Sequence, residues 1–302
     1  MHAGVIYPQV ELRGDPDAVR RLGDASERLG YTHLLAYDHV LGAVHDERDP
    51  PMWGPYNEKD PFHDPFVLFA YLAGRTESLG FVTGVLVLPQ RQTALVAKQA
   101  ADLALLAGKA PDGTARFRLG VGVGWNPVEY DGLGQDFSTR GARLEEQVPL
   151  LRQLWTEPVV SFAGRFDRID RAATIPRPSE PIPIWLGGWV DAALRRAVQI
   201  GDGFIFAGAP SGLIDQLTRL QSLLQDQGRS TGQFGAEAMV TGHADPIDAV
   251  RFVERWDELG GTHAAICTMG LGFDSIDAHL DYFEAVAEGL RARLPGSTRD
   301  AR

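Results

Sequence analysis

One cysteine in 302 residues, Cys267, rules out an intramolecular disulfide and leaves no pair of thiolates for a structural metal. It is expected in the core. No run of about 18 apolar residues occurs, so no membrane span is expected. The chain opens on a strand-like Gly4–Tyr7 rather than on a basic segment followed by an apolar signal core, which points to a cytoplasmic protein. Positive charge is scarce as well. With 29 Lys and Arg against 40 Asp and Glu, the formal charge is −11, which argues against a nucleic-acid surface, because such surfaces release counterions to clustered cations. HExxH, Walker and GxSxG patterns are all missing, which leaves metal and nucleophile readings weak.

What remains is 44% hydrophobic and 23% charged, the balance of a soluble protein able to bury a large core. Leu29-Gly30, Leu79-Gly80, Ile200-Gly201 and Leu259-Gly260 each close a helix-like segment and precede a strand-like one, as a glycine just past a helix end does. The helical segments carry single apolar stripes: Ala18, Leu22, Ala25 and Leu29; Leu144, Val148, Leu151 and Leu154; Leu213, Leu217, Leu220 and Leu224. Strands are expected to begin near Ala3, Thr32, Gly80, Arg116, Ile182, Gly203, Ala238 and Ala264. Eight strands alternating with helices predict an α/β fold, a (β/α)8 TIM barrel with its active site at the C-terminal strand ends. A doubly wound sheet is the competing layout, but GVGVGW has Trp125 where a dinucleotide fingerprint needs a third glycine. One barrel domain is expected over 1–294, with insertion loops and a frayed tail at 295–302. Gly42 to Pro65 follows the second strand and is expected to cover the barrel mouth as a lid, and Val159 to Pro183 to hold a hairpin.

The stretch from Thr83 to Trp125 is the richest in signal. If Arg118 to Gly124 is extended, Gly120, Gly122 and Gly124 share one face, and three glycines in register suggest close approach by a ligand or another backbone. A planar cofactor against an open glycine face is expected. Burial alone explains the apolar run of TGVLVLP. It leaves Gly84 unexplained, and a bulge or strained peptide under the ligand accounts for it. Asp38 and His39 fall where the second strand ends. There a histidine can donate to a ligand or exchange a proton; the alternative is a histidine that orients the loop. His45 and His63 are expected on the surface. Gly187 and Gly188 precede a helix, either to hold an anion on exposed amides or to make a tight turn. Trp53, Trp125 and Trp189 at one rim suggest an apolar pocket for a ring-bearing ligand.

AYDHV, TGVLVLPQR with KQAADL, RLGVGVGWNPVEYDGLG, and PIWLGGW followed by GDGFI together resemble the bacterial luciferase-like flavin and deazaflavin oxidoreductases, over roughly Ala3 to Gly289. The likeness is greatest to the branch dependent on coenzyme F420, a deazaflavin that transfers hydride only; other branches use FMN and activate oxygen. It implies the (β/α)8 barrel, with Asp38 and His39 bordering the ring and taking part in catalysis. It implies a non-proline cis peptide at Gly84-Val85 behind the ring, Gly122, Gly124 and Trp125 lining the cofactor, and Gly187, Gly188 and Trp189 along its tail. Relatives that oxidise a sugar phosphate have a glutamate acid where this chain has Trp125, so that role does not carry over; Glu129, four residues on, is a substitute. The partners expected are a small or medium organic substrate, a second copy of the chain and a separate reductase supplying reduced cofactor. The alternatives are an FMN-dependent monooxygenase and a non-catalytic flavin-binding protein.

Overall fold

Asp15-Pro16, Asp64-Pro65, Asn126-Pro127 and Asp245-Pro246 each start a helix. In each, the Asp or Asn side chain accepts an amide of the first turn, and the proline stands where its missing N–H has no partner to lose. These starts are set in a computed structural model that describes residues 1–299. The chain runs β1 (His2–Ile6), α1 (Gln9–Leu12), α2 (Pro16–Arg28), β2 (His33–Ala36), α3 (Pro65–Ala73), β3 (Gly80–Thr83), β4 (Leu86–Val87), α4 (Thr93–Ala107), β5 (Phe117–Gly122), α5 (Pro127–Gly132) and α6 (Arg140–Thr156). It continues β6 (Val160–Ala163), β7 (Arg168–Ala172), β8 (Ile184–Gly187), α7 (Asp191–Ile200), β9 (Gly203–Phe206), α8 (Pro210–Asp226), β10 (Gly235–Val240), α9 (Pro246–Glu258), β11 (His263–Ile266) and α10 (Ile276–Arg293).

All strands except the antiparallel β6–β7 hairpin pair in parallel in the order β3-β2-β1-β11-β10-β9-β8-β5-β4, and β3 also pairs with β5. That last pairing closes the expected eight-stranded barrel. The strand expected at Ala238 begins three residues earlier, at Gly235. Gly30 and Gly260 take left-handed backbone (φ 84° and 91°) past their helices. Two of the expected glycine stops differ: Gly201 is extended, and Gly80 opens β3 after a helix that already ended at Ala73.

Two apolar layers result. Strand and helix faces meet in an outer core of residues such as Leu22, Phe69, Val96, Leu151, Val198, Leu220 and Trp256. Ile6, Leu35, Val82, Trp185, Ile205, Met239, Ala265 and Cys267 fill the lumen. The lumen floor is polar. His33 Nε2 lies 2.5 Å from Glu237 Oε1, Arg118 bonds the other Glu237 oxygen, and the Arg118 guanidinium stacks 3.9 Å from the Trp185 ring centre. Gly4 is glycine because a Cβ would stand 2.4 Å from the His33 ring.

The chain end corrects the expectation of a tail frayed from Pro295. Ser297 O accepts from Ala3 N at 2.8 Å and Arg299 N donates to Gly30 O at 2.7 Å, while Arg299 Nη1 donates to Thr32 O and Ser78 O. The approach is possible because Gly30 lacks a Cβ, which would stand 2.1 Å from Arg299 O. Residues 300–302, the rest of that expected tail, lie outside the described residues.

The floor makes stability depend on pH. Burial, reinforced by Arg118 and neighbouring imidazoles, holds His263 well below the ordinary histidine range. Burial also lowers His2 and His33, in His33 against the opposing pull of Glu237. Histidines kept neutral in the folded state bind fewer protons than in the unfolded chain. Their contribution is therefore complete above the unfolded value near 6.5 and is lost as pH falls through it toward the lowered folded values. The melting temperature is expected to fall as pH drops from 7.5 to 5. His2→Gln with His263→Gln should flatten that slope, as measured by thermal denaturation across the pH series; an unchanged slope would contradict it.

Candidate active site

The mouth is built around Val85. The Gly84-Val85 peptide is cis, at the position the resemblance implies, and the Val85 side chain packs against the lumen cluster. Its seat is made by what its neighbours lack: a Cβ on Gly122 would stand 2.5 Å from Val85 Cγ2, and one on Gly187 would stand 2.7 Å from Val85 Cγ1. Lower down, a Cβ on Gly120 would meet Thr83 O at 1.9 Å. The glycine face is therefore filled by the protein's own third strand, which corrects the expectation of an open face for a ring. Gly124 lies beyond the end of β5 in left-handed backbone (φ 64°), its Cβ position against Val87.

Asp38 and His39 follow β2 and separate into different roles. Asp38 is buried. Its Oδ1 accepts from Arg91 Nη2 at 2.6 Å and its Oδ2 from Val87 N at 2.9 Å, and Arg91 reaches on to Asp64 at 3.1 Å. Burial pushes the Asp38 carboxyl above its ordinary value, with Arg91 and the Val87 amide opposing. Asp38 thus pins the segment after Val85 and, through Arg91, the cap of α3, a structural engagement where the resemblance implied a place in the chemistry. His39 faces an aromatic enclosure, with ring centres at 4.7 Å for Phe62, 5.4 Å for Tyr56 and 5.6 Å for Trp125.

Glu129, in α5, stands behind His39. Its Oε2 is 3.2 Å from His39 Nδ1, and its Oε1 accepts from Val40 N at 2.6 Å and from Leu41 N at 3.1 Å. The carboxylate is buried. It fixes the first residues of the lid and favours the tautomer that carries its proton on Nδ1, leaving Nε2 for another partner. Asn126 adds a bond from Nδ2 to Leu41 O at 3.1 Å.

The lid is the irregular stretch between β2 and α3. A Cβ on Gly54 would overlap the Trp125 ring at 2.0 Å. His45 and His63, expected on the surface, both turn inward: His45 meets Trp125 at 6.1 Å and His63 meets Tyr7 at 6.1 Å. Beneath the lid, Tyr7 Oη, Gln9 Nε2, Glu11 Oε2 and His63 Nε2 are buried without a hydrogen-bond partner. Burial pushes the Tyr7 hydroxyl up to about 12, so it remains a donor. The expected triad of tryptophans does not assemble: Trp125 reaches His39, but Trp53 is 84% and Trp189 58% exposed. Gly187 is occupied as part of the Val85 seat. Gly188 precedes α7, whose first turn already carries Asp191, paired with Arg195 and Arg219. Arg91, Asp64, Tyr56 and Phe62 were not singled out from sequence; Asp64-Pro65 is a visible helix start, but nothing local ties it to Asp38. Among the described residues, no cluster of three or more His, Cys, Asp or Glu could hold a metal.

The model of the luciferase-like monooxygenase family matches residues 2–266. An uncharacterized protein of Mycobacterium tuberculosis is 32% identical over 284 residues, covering 90% of this chain and 94% of that one. The F420-dependent glucose-6-phosphate dehydrogenase of Nakamurella multipartita is 32% identical over 206 residues, 67% of this chain and 56% of that one. An F420-dependent secondary alcohol dehydrogenase, solved with an F420–acetone adduct, superposes with a TM-score of 0.72 at 18% identity, over 96% of this chain and 99% of that one.

Two substitutions test this geometry. Gly122→Ala puts a methyl group into the Val85 seat and should destabilise by about 1–3 kcal/mol, the usual range for overpacking. Adding Val85→Ala should recover a large part of that loss in a double-mutant cycle, whereas additive losses would mean that the two do not touch. Asp38→Asn should lower stability by about 3–5 kcal/mol, as breaking a buried ion pair does, and leave turnover of the folded fraction within a few-fold. A collapse of turnover at unchanged melting temperature would return Asp38 to the chemistry.

Proposed function

Because the chain belongs to the luciferase-like monooxygenase family, we propose that it is an F420-dependent oxidoreductase moving hydride between the deazaflavin and a small or medium organic substrate held under the lid. The observation that carries this reading is His39, presented at a barrel strand end inside an aromatic enclosure and backed by a buried carboxylate. The F420-dependent relative supports the choice of cofactor. The residues present fit such a group. Val85 offers a flat apolar support, and positions Gly208 and Gly242, in the loops after β9 and β10, leave bare backbone where a Cβ would meet nothing closer than 3.8 Å. The orphaned Tyr7 Oη, Gln9 Nε2 and Glu11 Oε2 supply polar contacts.

When bound, a deazaflavin gives or takes hydride; the chain's own residues do the rest. His39 exchanges at Nε2 the proton that a substrate hydroxyl loses as its carbon is oxidised, and returns it in the reverse direction. Glu129 holds the ring in that tautomer and stabilises the imidazolium while the proton rests there. Tyr56, Phe62 and Trp125 keep water from the reacting carbon and lower the local dielectric, which strengthens the His39–Glu129 interaction. The indole N–H of Trp125 is far too weak an acid to exchange its proton near neutral pH, so the acid–base task falls to His39.

The family's description also favours a second reading, FMN-dependent monooxygenation, in which a separate reductase supplies reduced flavin. Titration with F420 and FMN followed by oxygen-electrode measurement separates the two. Tight F420 binding without oxygen uptake is expected; tight FMN binding with oxygen uptake in the presence of substrate would replace the first reading with the second. His39→Ala should lower turnover roughly a hundredfold to ten-thousandfold while cofactor affinity changes little, because the apolar shelf remains. A homodimer is proposed on the outer faces of α3 and α4, where Val67, Tyr71, Leu95 and Leu106 are exposed by 70, 47, 52 and 76%. Light scattering should give twice the chain mass, and Leu106→Glu should shift it toward one chain; a monomer at every concentration would remove the dimer.

A further inference from the structure

The barrel has a cavity of about 90 Å³ at the end opposite the mouth, where β1, β2, β3, β5 and β11 begin. Its charged and titratable lining is His2, His33, His263, Arg116, Arg118 and Arg299, with no Asp or Glu among the described residues of its wall. In a chain with 40 acidic residues against 29 basic ones, such a wall is a concentrated exception.

The surrounding carboxylates offset this charge only in part. Glu27 and Glu77 act on Arg116 without an ion pair to it, and Glu27 Oε1 is taken by the Ser78 and Leu79 amides. Glu237 lies behind the wall, taken by His33 and Arg118. Asp112 holds the Arg299 Nε at 3.1 Å from a half-exposed position. The N-terminal amine faces Asp257 at 3.8 Å. Arg116 is buried with no carboxylate bonded to it: its donors go to Leu79 O at 2.8 Å, Ala107 O at 3.0 Å and Thr76 Oγ1 at 2.6 Å. A guanidinium has five N–H groups, and three of those on Arg116 are accounted for among the described residues. Arg118 Nε is buried without a partner. His2 stands at the rim, in part exposed and in part turned into the wall, so the cavity is open to solvent.

We propose that this floor cavity is a binding site for a small tetrahedral oxyanion, of the phosphate or sulfate class. Its size admits one such group with a few waters and excludes a nucleotide. Arginine guanidinium edges match an oxyanion's oxygens in plane, and bonds to charged partners are stronger than neutral ones. Burial, reinforced by Arg118 and the N-terminal amine, keeps His2 and His263 neutral; an anion would offset those neighbouring cations, so binding raises the imidazole pKa values. The bound ion ties the strand starts of β1, β2, β5 and β11 to the Arg299 segment. It therefore acts on stability and leaves the chemistry at the mouth untouched, which makes this site independent of the reading given to His39.

The test is a titration of the cofactor-loaded protein with inorganic phosphate at constant ionic strength, sodium chloride making up the balance. A saturable rise in melting temperature is expected, together with movement of the His2 and His263 imidazole resonances toward their protonated positions. Sulfate should compete. Glycerol phosphate is the arm that identifies the source: equal competition assigns the site to a phosphoryl group carried on a larger molecule, and failure to compete assigns it to the free ion, with the site upheld in both cases. His2→Ala and Arg299→Gln should each weaken binding about tenfold, the scale of one charge-assisted hydrogen bond, without altering turnover. The wild-type resonances provide the reading even if a variant folds poorly. A melting temperature that rises no further than in chloride alone, or imidazole resonances that do not move, would overturn the proposal.

Discussion

The mouth depends on one steric contact: the Val85 side chain occupies space that Gly122 and Gly187 leave by having none. Two strands from different parts of the barrel must both be bare at that height, or the third strand cannot cross the lumen top in the path it takes. A close-packed interior does not absorb a misplaced methyl group by yielding everywhere at once, so the cost is local and the geometry well defined. From that seat the chain runs two residues to Val87, whose amide is held by Asp38. The segment from Val85 to Val87 is thus fixed at one end by sterics and at the other by a buried charge.

Neighbouring residues at the end of β2 take opposite tasks because the chain there sends them to different surroundings. Asp38 enters the wall and meets Arg91, which links it to Asp64 at the start of α3. His39 enters the mouth and meets the aromatic lid, with Glu129 behind it. The two buried carboxylates work alike: each is held by donors that also fix a backbone segment, Val87 in one case and Val40 with Leu41 in the other. The lid is therefore pinned at both of its ends, by Glu129 where it leaves β2 and by Arg91 and Asp64 where it meets α3.

Charge divides along the barrel axis. At the mouth, buried carboxylates organise donors around an aromatic space; at the floor, arginines and histidines surround a cavity and the single Glu237 lies behind them. The lumen between is apolar, from Ile6 and Leu35 to Met239 and Ala265. An interior layer of low polarity separates two polar ends that differ in the sign of the charge they bury.

Sequence alone determined the barrel, because its signals are local. Apolar stripes marked the helices, glycine stops at Gly30 and Gly260 marked two of their ends, and eight strand starts were placed within a few residues. The lid and the β6–β7 hairpin were legible as segments too long for plain connections. The alternation of β5 correctly grouped Gly120 with Gly122 on one face, but alternation says only which residues share a face, not what stands opposite, and Val85 stood there. Resemblance to a known family located the cis peptide; periodicity located only an unexplained Gly84. Asp38 and His39 read as one motif and were parted by the fold. Glu129 lies 90 residues from His39, and the floor cavity draws side chains from residues 2 to 299. Such contacts carry no local periodicity: they exist only once closure of the barrel brings distant strand ends within a few ångströms, so only the tertiary structure could decide them.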